Sequence, residues 1–110
     1  MVHLVYCNDR TKELANILDG SKTMVIRGAT GRKIPHSRVF AGETLYFMEK
    51  GSHRITAKAR VTNVSNYVKL DDEAITKIIA DNNQYLLLDD SEMKRWHKRC
   101  LILVAFNNVE

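Results

Sequence analysis

Apolar residues along this chain alternate with polar ones over short stretches and recur at helical spacing in between. Val2–Cys7 is a first short apolar run and reads as a strand. Asn8 or Asp9 can cap a following helix, by accepting bonds from its free N–H groups. Leu14, Ile17 and Leu18 then fall on one helical face. Gly20 suits the position just past that helix, where a left-handed backbone costs glycine little. Thr23 to Ile26 favours a strand. A regular strand places Lys22, Met24 and Ile26 on one face and Thr23, Val25 and Arg27 on the other. The two cations then point apart, unless the strand bends or Lys22 lies just ahead of it.

Gly28 to His36 contains two glycines and the only proline, and reads as an irregular loop. Ala41–Glu43 reads as a turn, Thr44–Met48 as a strand, and Glu49–His53 as a hairpin connection turning at Gly51. In the strand from Arg54 to Val64, Ile55, Ala57, Ala59 and Val61 alternate with Arg54, Thr56, Lys58, Arg60 and Thr62. The first set faces a core and the second faces solvent. The small Ala57 and Ala59 predict close approach by another element.

Asp71 or Asp72 caps a second helix with Ile75, Ile78 and Ile79 on its apolar face, and Asn82–Asn83 ends it. Gln84–Leu88 is compatible with strand or helix. Asp89 and Glu92 have the spacing of a capping pair for a short third helix through Trp96 and His97. Cys100–Phe106 is continuously apolar and reads as a strand buried on both faces. The expected fold is α+β: a small, closed or partly closed β-barrel of five to six mostly antiparallel strands with two to three flanking helices. Residues 1–110 are expected to form a single domain.

Charge changes this picture. Between Gly20 and Gly42 there is no acid, while Lys22, Arg27, Arg32, Lys33 and Arg38 are basic. Over residues 71–92 the balance reverses, with Lys77 the one cation among Asp71, Asp72, Glu73, Asp81, Asp89, Asp90 and Glu92. Lys94, Arg95, Lys98 and Arg99 then restore positive charge. A basic face favours phosphate-bearing partners, although charge runs are often just a solvated surface. Gly28–Gly31 is not a Walker phosphate loop, because Gly31-Arg32-Lys33 lacks the following hydroxyl residue.

Cys7 and Cys100 make no disulfide framework. They are expected as free core thiols, adjacent if the terminal strands pair. His3, His36, His53 and His97 are scattered without ligand spacing, so neither a metal nor another cofactor is expected. No apolar run approaches the roughly 20 residues that span a bilayer, and the N-terminus lacks a signal-peptide pattern. No membrane association and a cytoplasmic location are the default expectations.

Gly20-Ser21-Lys22, followed by Arg27, resembles the G-x-K-x-x-x-x-R signature of ASCH domains, which belong to the PUA-like superfamily. The order of later elements fits as well. The loop from Gly31 to Arg38, with Lys33, Pro35 and His36, has no counterpart and marks a divergent or archaeal-type branch. The resemblance implies a small β-barrel with a cleft for RNA or a modified nucleoside. Some members hydrolyse the amide of N4-acetylcytidine with a lysine, a threonine and a glutamate. Lys22 matches the lysine, Thr23 is the nearby hydroxyl, and Glu73 lies near the glutamate position. Val25 stands where the family threonine falls, and can neither donate a proton nor hold an intermediate.

Three readings follow. The first is an RNA or nucleic-acid binding module, with Lys22, Arg27, Arg32, Lys33 and Arg38 on phosphates and Lys58 and Arg60 extending the track. Tyr46, Tyr67 or Trp96 would stack a base, unless they serve only the core. The second is an amidohydrolase on a modified nucleoside such as an N4-acylated cytidine, with Lys22, Thr23 and Glu73 as the catalytic set. The third is a protein-interaction domain whose acidic 71–92 region meets a basic partner.

Overall fold

A computed structural model describes residues 2–7, 12–29, 40–49 and 54–110. The elements in chain order are β1 (Val2–Cys7), α1 (Glu13–Leu18), β2 (Met24–Ala29), β3 (Thr44–Glu49), β4 (Ile55–Tyr67), α2 (Asp72–Leu86), α3 (Asp90–Arg95) and β5 (Cys100–Asn107). The strands form one curled five-stranded sheet in the order β1-β3-β4-β5-β2. Among the described residues the β1–β3 pair is parallel and the β2–β5, β3–β4 and β4–β5 pairs are antiparallel. β1 and β2 are thus the two edges. The curl brings them close enough for the Arg27 side chain on β2 to donate a hydrogen bond to the Tyr6 carbonyl on β1 at 2.9 Å.

Two apolar clusters explain the sequence pattern. The inner face of the sheet gathers Val5, Val25, Leu45, Phe47, Ala57, Ala59, Val61, Ile102, Val104 and Phe106 around Ile17 of α1. Ala57 and Ala59 lie opposite Phe47 and Leu45, so their small side chains admit the larger ones beside them. The outer face of β2 and β5 packs Ile26, Leu101 and Leu103 against Ile75, Ile79 and Leu86 of α2. β5 is therefore covered on both sides, which is why its apolar run does not alternate.

β4 departs from its expected pattern at two irregularities. Phe47 pairs with Ala57 but Met48 pairs with Ile55, so Thr56 is an extra residue. That slip puts Ile55 on the outer face with Met48, 55% exposed, rather than in the core. A second shift between Val61 and Asn63 returns Val64 to the inner cluster.

The helices depart from expectation at their ends. α1 begins after Lys12, whose backbone is left-handed (φ 57°) and gives no side-chain cap; Asn8 and Asp9 lie outside the described residues. Gly20 takes the expected positive φ, 86°. Asp71 caps α2 by accepting from the Ala74 N–H at 2.8 Å. Asn82 and Asn83 do not end α2, which runs on to Leu86. Asn82 donates back to the Ile78 carbonyl, and the Asn83 amide oxygen accepts from the Leu88 N–H at 2.8 Å, beyond the left-handed Leu87. Asn83 thus braces the chain that leaves the helix. Cys7 and Cys100 are buried and form no disulfide, and β1 and β5 do not pair.

Candidate functional site

The seam between β1 and β2 is where the G-x-K-x-x-x-x-R stretch lies. Gly20 reverses the chain after α1, and the Lys22 N–H bonds back to the Asn16 carbonyl at 3.0 Å. Lys22 therefore sits two residues ahead of β2 and is not bound by the strand's alternation. Its ammonium is buried, 3.2 Å from Glu13 Oε2, and donates to the Leu86 carbonyl at the end of α2. Arg27 leaves β2 from the inner face and reaches the same carboxylate, 3.8 Å from Glu13 Oε1. Its guanidinium also bonds the carbonyls of Tyr6 and Ile26. The two motif cations thus meet at one buried acid.

Further charged groups surround Glu13 and its two cations. The Arg27 guanidinium lies 5.4 Å from the Trp96 ring centroid and that of Arg95 4.8 Å from it. Such contacts hold a guanidinium over an aromatic face; the edge of Arg27 is largely taken up by Glu13, Tyr6 and Ile26, while Arg95 is exposed. Glu92, in the first turn of α3, is buried, and its N–H is capped by Asp89 at 2.8 Å. Burial pushes the Glu92 carboxyl above its ordinary range; the Lys22 charge opposes this and Glu13 adds to it. Burial likewise lowers the Arg27 guanidinium from its usual value, while Glu13 favours its charged form.

The remaining sequence candidates fall elsewhere. Thr23 is half-buried, with its backbone bonded to the Tyr85 carbonyl and the Phe106 N–H. Val25 is in the inner core. Glu73 is exposed in the first turn of α2, whereas Lys22 binds the last residue of that helix. At 1.5 Å per residue the two ends are about 20 Å apart, so Glu73 does not join Lys22. Lys58 and Arg60 are exposed on the outer face of β4, separated from β2 by β5. They do not continue the seam. Arg32, Lys33 and Arg38 lie outside the described residues.

The acidic stretch is divided among several tasks. Asp71 and Asp89 are helix caps, Asp72 pairs with His97 at 3.1 Å, and Glu92 is buried. Among the described residues no group of three or more His, Cys, Asp or Glu could hold a metal ion.

Glu13 and Arg95 were not legible as site residues. One signal for Glu13 existed: it precedes Ile17 by four, on the apolar face of α1, where a carboxylate needs a buried partner. Glu92 has capping spacing, and its inward turn follows from where α3 docks.

Removing one member of a buried pair strands the other. Glu13→Ala is expected to cost about 3–5 kcal/mol in chemical denaturation, and Glu13→Leu with Lys22→Met to recover most of it. Equal losses from the single and double variants would show that the pair is not coupled. For Glu92, the folded state holds the proton more tightly than the unfolded chain does. Stability is therefore penalised above the raised folded pKa, and the penalty vanishes below the unfolded value of about 4.3. Glu92→Gln is expected to raise the melting temperature at neutral pH, with a gain that fades as pH falls through that window. A gain independent of pH would contradict burial as the cause.

No protein-family model matches the chain, and no curated protein matches it by sequence. Solved structures do match. ASCH from Zymomonas mobilis superposes with a TM-score of 0.66 at 6% identity, covering 96% of this chain and 66% of that one. A mutant form of the same protein gives 0.69 at 10% identity, covering 96% and 68%. The hypothetical protein PH0355 gives 0.60 at 11% identity, covering 97% of this chain and 98% of its own. This chain thus spans about two thirds of the Zymomonas protein and nearly all of PH0355. With an α+β half-barrel, three helices and these neighbours, the chain has the ASCH-type, PUA-like fold.

Proposed function

We propose that the protein is an RNA-binding module whose phosphate contacts are made at the seam, by Arg27 and Arg95, which share the Trp96 ring. The observation that carries this reading is the pair of guanidiniums held on one indole. Arg95 is exposed and Arg27 is partly so, and a half-buried Trp96 offers an edge for stacking. Lys22 stands behind them. Its ammonium is occupied by Glu13 and Leu86, so it positions Glu13, and through it Arg27, rather than meeting phosphate. The basic loop residues Arg32, Lys33 and Arg38 follow β2 in sequence and are proposed to extend this surface. The mechanism is charge neutralisation with counterion release, so affinity falls with salt.

A second reading, hydrolysis of an N4-acylated cytidine, is favoured by one observation: Lys22 is buried beside Glu13 and near Glu92. In that case Glu13 or Glu92, not Glu73, would exchange the proton with Lys22. The hydroxyl expected at Val25 is still missing.

Titration with RNA at low and moderate salt separates the readings, using DNA of matched length as a control. Arg95→Ala is expected to weaken RNA binding and flatten the salt slope by about 0.7 to 0.9. Arg32→Ala with Lys33→Ala is expected to weaken it further. Absence of binding at low salt would overturn the module. Release of cytidine from N4-acetylcytidine, lost in Lys22→Met, would establish the hydrolase instead.

A further inference from the structure

The helices cover only one sector of the outer sheet face. α2 and α3 pack over β2, β5 and Tyr67 at the end of β4, while among the described residues no helix covers the outward side chains of β1, β3 and the first half of β4. Register arranges this open sector in rows. Leu4 on β1 lies beside Tyr46 on β3, which lies beside Lys58 on β4; the neighbouring row puts Thr44 beside Arg60. Leu4 is 51% exposed, unlike the buried Val5 next to it, so an apolar side chain is presented to solvent here. A cleft of about 650 Å³ lies beside these rows, lined by Thr44, Tyr46, Lys58 and Arg60 together with Asn108 and Glu110 of the chain after β5.

We infer that this outer face is a second binding surface, for single-stranded RNA, with a base on Tyr46 and successive phosphates on Lys58 and Arg60. The inference rests on the nucleic-acid reading above but uses a different face. Its chemistry is complementary: the part-buried Tyr46 lines the cleft where an unpaired base could stack, with Lys58 opposite it and Arg60 in the next row. Lys58 and Arg60 are two residues apart on one strand face, about 7 Å by strand rise, which suits adjacent phosphates of an extended strand. A duplex has its bases stacked internally and leaves Tyr46 unused. Among the described residues none pairs with Arg60, whereas Lys58 is held by Glu110 at 3.2 Å with both side chains more than half exposed.

That ion pair adds a regulatory element. The chain after β5 continues along β4, with reciprocal backbone hydrogen bonds between Lys58 and Glu110. The Glu110 carboxylate therefore occupies the position that a phosphate would take on Lys58, and RNA must displace it. Exposed ion pairs are weak, so the displacement is easy but measurable.

The test is an anisotropy titration of labelled oligouridine, with an RNA hairpin and oligothymidine as comparison probes. Lys58→Ala with Arg60→Ala is expected to weaken oligouridine binding roughly tenfold and to flatten its salt slope by about 1.4, two contacts at about 0.7 each. Both side chains are exposed, so the fold is retained. Tyr46→Leu is expected to lose roughly tenfold through stacking, with its melting curve checked in parallel. Glu110→Gln is expected to tighten binding, and Lys77→Ala on α2 to leave it unchanged. The hairpin is expected to be insensitive to Tyr46→Leu. If wild-type protein binds RNA, Arg95→Ala weakens it and the outer-face variants bind as wild type, this inference falls and the seam reading stands. If wild-type protein binds no RNA at low salt, both fall. Equal binding of oligothymidine would make the surface one for single strands in general and overturn its assignment to RNA.

Discussion

The carboxylate of Glu13, held between Lys22 and Arg27, is the interaction on which the other arrangements depend. It ties α1 to the chain entering β2, and through Lys22 and the Leu86 carbonyl it reaches the end of α2. Through Arg27 and the Tyr6 carbonyl it reaches β1, the far edge of the sheet. A half-barrel with two unpaired edges needs something to hold them near each other, and here charged side chains supply it. Such a buried cluster is a poor source of net stability, because desolvation offsets much of its attraction. What the docking of α1 seen here does is bring all three charges together, Lys22 and Arg27 both meeting Glu13.

That constraint determines how the basic residues divide. Lys22 is drawn inward and neutralised, and Arg27 is left half-committed, one edge toward Glu13 and its face over Trp96. Arg95 reaches the same ring from α3, far from Arg27 in sequence. Lys58 and Arg60 are carried to the opposite face by the alternation of β4. What looks in sequence like one basic track is two surfaces of different character. One is built on buried charge and indole, the other on an open pleated face with a tyrosine.

Local chemistry made much of the fold legible. The turn glycines at 20 and 42, the Asp71 and Asp89 caps, the alternation of Ala57, Ala59 and Val61, and the uniform apolarity of β5 each follow from neighbours in sequence. Side-chain period and capping geometry act over a few residues, so a sequence displays them directly. Even the motif faces are correct: Val25 enters one cluster and Ile26 the other.

The tertiary structure decided whatever depends on a partner from elsewhere in the chain. Strand slips at Thr56 and near Thr62 depend on β3 and β5, and the first turned Ile55 outward. The extension of α2 past Asn82 depends on Asn83 finding Leu88. Which acid meets Lys22 depends on how two helices dock, and that selected Glu13 over Glu73, some 20 Å away along α2. The sequence by itself determined the elements, their buried faces and the presence of unusual positive charge. Only the packed chain decided which charges are cancelled and which still face solvent, because an ionic partner is chosen by proximity in space, which sequence spacing does not encode.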